Sequence, residues 1–161
     1  MKKFLKEYLP YISIFVLVVL IRAFVITPVR VNGTSMDETL ASGDIMLLYK
    51  LASIEREDIV VVGPEVQGSN LIKRVIALPG EKIKCEGGTI YINDKKYDDK
   101  YAFGITGDFE EVILDEDEYF VLGDNRLVSE DSRYFGPIKE DTIKGQTSLL
   151  IYPFNRMGKV A

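Results

Sequence analysis

The sequence predicts a mainly β protein held at its N-terminus by a single transmembrane helix. Behind the helix it predicts an antiparallel β-sheet domain with a small β lobe inserted into it. Positions 8–29 form an apolar run that carries only one charge, Arg22. Beyond it, short runs rich in Val, Ile, Leu and Tyr alternate with turn signals, and no long helical periodicity appears. An acidic stretch at 86–118, with eleven Asp and Glu against three Lys, then interrupts the strand-like pattern.

As a helix at about 1.5 Å per residue, the 8–29 run would reach roughly 33 Å, enough to span the hydrocarbon core of a lipid bilayer. Lys2, Lys3 and Lys6 precede it. The positive-inside bias therefore places the N-terminus in the cytoplasm and the remainder outside. A cleaved secretory signal would have a shorter apolar region ending in small residues, whereas Arg22, Pro28 and Arg30 stand here. Arg22 lies late in the span, where its stem can follow the lipid while the guanidinium reaches the interface. Residues 1–29 thus read as cytoplasmic tip and anchor.

The strand candidates follow in order as DIMLLYK, DIVVVG, LIKRVIAL, TIYIND, EEVIL and EYFVLG. Gly43-Asp44, Gly63-Pro64, Pro79-Gly80, Gly87-Gly88, Gly123-Asp124 and Gly136-Pro137 mark turns between them. The expected division of 30–161 is a core built from 30–83 and 119–161, with the acidic lobe at about 84–118 as a separate, solvated insertion.

Composition excludes several kinds of chemistry. The chain has no histidine, which removes Ser-His-Asp and Cys-His catalysis and histidine-containing zinc sites together. Its single cysteine, Cys85, has no intrachain disulfide partner and reads as a packing residue. A net charge of −5 argues against nucleic acid as a partner. Any hydrolytic serine must therefore be activated by something other than histidine.

Lys73 is a candidate for that role. In LIKRVIALPGE, a strand running into a Pro-Gly turn, it shares a face with Leu71, Val75 and Ala77. An ammonium on an apolar row loses hydration, which favours the neutral amine, a form able to accept a proton. The same pattern also fits an edge strand with the amine in water. Arg74 points to the opposite face and calls for a carboxylate partner.

GTSM at 33–36 with Gly43-Asp44 soon after, KRVIALPGE at 73–81, and GDNRLVSEDSRYFGPI at 123–138 follow one another along the chain. In order and spacing these three stretches resemble the motif boxes of bacterial type I signal peptidases, or leader peptidases, of Gram-positive type. The resemblance extends to the anchor and, more weakly, to GGTIYIND. It implies a membrane-bound serine endopeptidase of the bacterial cell membrane that removes signal peptides from exported preproteins. The mechanism it implies is an acyl-enzyme one on a Ser-Lys dyad. It makes Ser35 the nucleophile and Lys73 the general base. Ser129 would orient the lysine amine, Asp131 and Arg133 would brace the site, and Arg74 would pair with Asp131. Met36 would line or support a substrate pocket, while Asp124, Asn125 and Arg126 serve as turn and scaffold. No metal and no cofactor are implied.

One position departs from the family pattern. Where S-M-x-P-T-L is usual, this chain has Ser35-Met36-Asp37-Glu38-Thr39-Leu40, with Glu38 in place of proline. The departure keeps a second reading open, that of a non-catalytic or narrowly specific accessory protein that binds surface or pilin subunits. A self-cleaving repressor, the third reading, would carry a DNA-binding region where this chain has its anchor pattern.

Overall fold

The computed structural model describes residues 2–160, with side chains from Glu7 onward. The side chains of Lys2, Lys3 and Lys6, on which the expected orientation rests, lie outside the described ones. Helix α1 (Lys2–Phe24) is followed by β1 (Ile26–Arg30), β2 (Ile45–Tyr49), β3 (Ile59–Val62), β4 (Leu71–Ala77), β5 (Lys82–Glu86) and β6 (Thr89–Ile92). Then come β7 (Lys95–Lys96), β8 (Phe109–Ile113), β9 (Glu118–Leu122), a one-turn helix α2 (Ser132–Phe135), β10 (Ile138–Lys139), β11 (Ile143–Tyr152) and β12 (Gly158–Lys159). The fold is mainly β, as the sequence predicts.

The helix ends earlier than its apolar run. Ile26, Thr27 and Val29 are β-branched, and Pro28 both lacks an amide donor and disfavours helix in the residue before it. The chain therefore leaves α1 at Phe24, and Ile26–Arg30 pairs antiparallel with β2 as an edge of the large sheet. This corrects the expected anchor boundary at residue 29. The 18 residues Glu7–Phe24, about 27 Å of helix, are still long and apolar enough to cross a membrane, and none of them is buried against the rest of the chain.

The large sheet runs β1-β2-β11-β3-β4-β9-β10, with β12 added against β11, and its pairings are antiparallel. β4 lies between β3 and β9. It is an interior strand, so the edge-strand alternative for Lys73 does not hold. β3, with four consecutive buried residues, is covered on both faces. The ten-residue β11 reaches both β2 and β3 by means of register shifts. One of these sits at Gly145, where a Cβ would collide with the Tyr49 carbonyl oxygen.

The small sheet runs β7-β6-β5-β8. It is less separate than its charge suggests. Ile83, Cys85, Ile90, Ile92 and Leu114 merge with Ile76, Ala77, Phe120 and Leu122 of β4 and β9 in one buried cluster. Alternation sends acidic side chains outward while these apolar ones turn in. Cys85 belongs to that cluster, and burial pushes its thiol pKa upward.

Candidate active site

Ser35 is displayed by a tight turn after β1. Val31 is tied to the Gly43-Asp44 turn by two backbone hydrogen bonds of 2.8 and 2.9 Å. Met36 and Leu40 then sink into a cluster with Val31, Met46, Ile59 and Leu150. The Met36 carbonyl accepts from the amides of Thr39 (3.1 Å) and Leu40 (2.8 Å), which closes the turn. With its apolar residues drawn inward, the turn leaves Asn32, Gly33 and Thr34 exposed and Ser35 half-buried at the rim. Met36 itself is only 2% exposed. Of the two expected roles, lining or supporting a pocket, this burial favours support of the turn from below.

Lys73 is 2% exposed, and its Nζ donates to Ser129 Oγ at 3.0 Å. Burial lowers its pKa from the usual 10.5 to about 8. Asp131 opposes that shift, Arg133 reinforces it, and Glu130 and Asp124 oppose it more weakly. The amine is therefore far easier to deprotonate than that of an ordinary surface lysine, and Ser129 fixes where it points.

The segment after β9 joins the two halves of the site. The amide of Asn125 donates to the Ser35 carbonyl oxygen at 3.1 Å. Gly123 lies between Ser35 and Ser129. A Cβ there would fall 2.5 Å from the Ser35 carbonyl oxygen and would also collide with Ser129 Oγ. Only glycine lets the Ser35 turn and the lysine's partner approach each other this closely.

Arg74 pairs with Asp124, and not with Asp131 as the resemblance implies. Arg74 Nε and Nη2 reach the two Asp124 oxygens at 2.9 and 2.7 Å, with both side chains fully buried. Arg74 Nη1 also donates to the Glu57 carbonyl at 2.7 Å. The physical reason is the strand pairing that sets Arg74 opposite Leu122, two residues before Asp124. Asp131 is occupied by Arg133, whose Nε and Nη2 approach it at 2.8 and 2.9 Å. Asp131 also accepts from the Gly123 amide at 3.1 Å and caps α2. Arg133 continues to the carbonyls of Arg126 and Ser129.

Sequence reasoning left Asp124 as scaffold and assigned nothing to Thr39. Thr39 Oγ1 donates to Asp124 Oδ2 at 2.6 Å, which links the Ser35 turn to Arg74 and hence to β4. The adjacency of Lys73 and Arg74 was the available signal: a buried arginine beside the lysine needs a carboxylate, and GDNR offers one. Among the described residues, no group of three or more His, Cys, Asp or Glu is placed to hold a metal ion.

The profile of the signal peptidase family, peptidase S26, matches residues 4–152. The chain belongs to that family. It is 39% identical over 160 residues to a signal peptidase I of Bacillus licheniformis, covering 89% of this chain and 86% of the relative. It is 35% identical over 198 residues to a signal peptidase I of Streptococcus pneumoniae, covering 98% and 97%. Among solved structures, a signal peptidase I of Enterococcus faecalis superposes with a TM-score of 0.54 at 32% identity. That match covers 60% of this chain and 97% of the other. The protein is thus a peptidase of the signal-peptide-processing family, and α1 is a helix fit to anchor it in a membrane.

Proposed function

We propose that this peptidase removes signal peptides from exported preproteins by a Ser-Lys dyad. Ser35 Oγ attacks the carbonyl carbon of the bond that follows the signal peptide, and the neutral Lys73 amine takes the hydroxyl proton. When the tetrahedral intermediate collapses, Lys73 returns a proton to the leaving amine of the mature chain. A water deprotonated by the same amine then hydrolyses the ester on Ser35. In this reading the Ser35 backbone N–H donates to the developing oxyanion. Ser129 holds the lysine in line for each transfer, and the Asp131–Arg133 pair holds Ser129 through its carbonyl.

The observation that carries this reading is the buried Lys73 amine held at 3.0 Å by Ser129, with its pKa lowered to about 8. It supports catalysis over the accessory reading, because a scaffold protein gains nothing from burying an amine at a cost in stability. Orientation follows from Lys2, Lys3 and Lys6, which precede the apolar stretch of α1: the N-terminus lies in the cytoplasm and the β domain outside, where exported chains emerge.

The test is cleavage of a preprotein bearing an A-x-A site by the detergent-solubilised full chain, beside Ser35→Ala and Lys73→Ala. Cleavage by wild type and loss of it in both variants, each still folded, is the expected result. Substantial turnover by either purified variant refutes the dyad.

A further inference from the structure

The small sheet sends one loop back over the active-site segment. Phe103 and Asn125 form a parallel bridge, in which the Phe103 amide donates to the Asp124 carbonyl (2.7 Å) and the Arg126 amide to the Phe103 carbonyl (2.9 Å). Arg126, almost wholly buried, is paired with Asp99 and donates to Thr106 Oγ1 at 2.8 Å. The Tyr101 ring lies over the Arg74 guanidinium, 3.7 Å from its Cζ. The root of the loop is fastened in turn, through Lys100 to Glu57 at 2.8 Å.

Each of these contacts ends on a residue that holds the site and not on a reacting group. Arg74 grips Asp124, Asp124 grips Thr39, and Asn125 grips the Ser35 carbonyl. We propose that the 99–106 loop is a positioning element for the cleavage reaction, in which Tyr101 and Asp99 press the 123–129 segment against the Ser35 turn and keep water from it. This rests on the Ser-Lys reading above. Tyr101 covers the buried Arg74–Asp124 pair as an aromatic lid, a stacking that a phenylalanine would preserve. Asp99 neutralises Arg126, which would otherwise be a buried, unpaired cation.

The consequence reaches Lys73 through hydration. The charges that act on it are Asp124 from the segment after β9, and Glu130, Asp131 and Arg133 from the segment leading into α2. Of the strands flanking β4, β3 carries no charged residue and β9 only Glu118 at its far end. Water admitted along 123–129 would weaken the burial that favours the neutral amine.

The experiment is the pH dependence of kcat and KM for the detergent-solubilised full chain and for Tyr101→Ala, Tyr101→Phe and Asp99→Asn, with Lys73→Ala alongside. Tyr101→Ala and Asp99→Asn are expected to lower kcat about tenfold, the scale of a modest misplacement of reacting groups, with little change in KM. Both are also expected to move the midpoint of the pH profile upward, while Tyr101→Phe restores both values. A purely structural role would reduce the amount of active protein without moving the midpoint, and that result overturns the proposal. So does a wild-type profile in folded Tyr101→Ala and Asp99→Asn, or a loss in Tyr101→Phe equal to that in Tyr101→Ala. Activity in Lys73→Ala would instead refute the dyad itself.

Discussion

Thr39 Oγ1 donates to Asp124 Oδ2 at 2.6 Å, and the same carboxylate is gripped by both Arg74 Nε and Arg74 Nη2. A hydroxyl four residues past the proposed nucleophile is thereby locked, through one carboxylate, to the residue beside the proposed base. Three segments far apart in sequence meet at a fully buried ion pair. Relative placement of Ser35 and Lys73 therefore depends on Asp124 as well as on the Ser35 turn and strand β4.

Asp124→Ala is expected to destabilise the protein by about 3–5 kcal/mol, because it strands the Arg74 charge in the interior. Equilibrium urea denaturation of the full chain in detergent measures this. Replacing both partners, Arg74→Met with Asp124→Leu, should recover most of that stability, since no buried charge is left unpaired. It should not recover cleavage, because Thr39 loses its acceptor. Full activity in the double variant would show that the link does not position the site.

Lys73 should give the pH profile its shape. Its folded pKa of about 8 lies below the usual 10.5, so the unfolded chain binds more protons between those values and stability rises with pH across that window. Below about pH 8 the penalty is fully present, on the order of 3 kcal/mol. Lys73→Met keeps an unbranched apolar side chain and removes the charge. It is expected to raise Tm at pH 7 by several degrees while abolishing cleavage. Wild-type cleavage should climb through a midpoint near pH 8, and a profile flat from pH 6 to 9 would remove Lys73 from the proton transfer.

The sequence made the strands of the large sheet legible where β-branched runs were compact, as in DIVVVG and LIKRVIAL. It hid β11, the longest strand, because Gly145, Gln146, Thr147 and Ser148 break the apolar run and the register shifts break its period. Lys73 and Ser129 could be named from motifs, but their contact spans 56 residues of sequence and depends on β4 being interior. The partner of Arg74 is ambiguous in the sequence because two aspartates, Asp124 and Asp131, stand close together there. Only the β4–β9 register decides between them. The insertion's charge pattern suggested separation, since a count of acidic residues does not report which face they occupy.

Ser129 and Gly123 separate orientation of the lysine from its basicity. Ser129→Ala removes the hydroxyl at 3.0 Å from Lys73 Nζ and leaves the burial around it. A drop in kcat of about 10²-fold with KM nearly unchanged is expected, the size of effect a misaimed catalytic group produces. Gly123→Ala places a methyl 2.5 Å from the Ser35 carbonyl and against Ser129 Oγ, so it should lose activity at least as severely and lower Tm as well. Single-turnover kinetics with thermal melts distinguishes the two. Equal loss of Tm in both variants would mean that Ser129 acts through packing.

Glu38 occupies a backbone conformation that the family's proline would not adopt. Its φ is 78°, in the left-handed region, and it is the third residue of the 36–39 turn closed by the Thr39 amide at 3.1 Å from the Met36 carbonyl. A proline ring fixes φ near −65°, so Glu38→Pro must reshape the turn that carries Ser35. Glu38→Gly accepts the positive φ without a Cβ penalty and is expected to gain about 1 kcal/mol. The side chain is exposed, so neither change disturbs a buried contact. Denaturation midpoints and kcat/KM for the two variants provide the check: glycine should be stable and active, and proline less of both. If the proline variant matches wild type or exceeds it, the left-handed turn is dispensable, and Glu38 marks a tolerated substitution and not a rebuilt nucleophile loop.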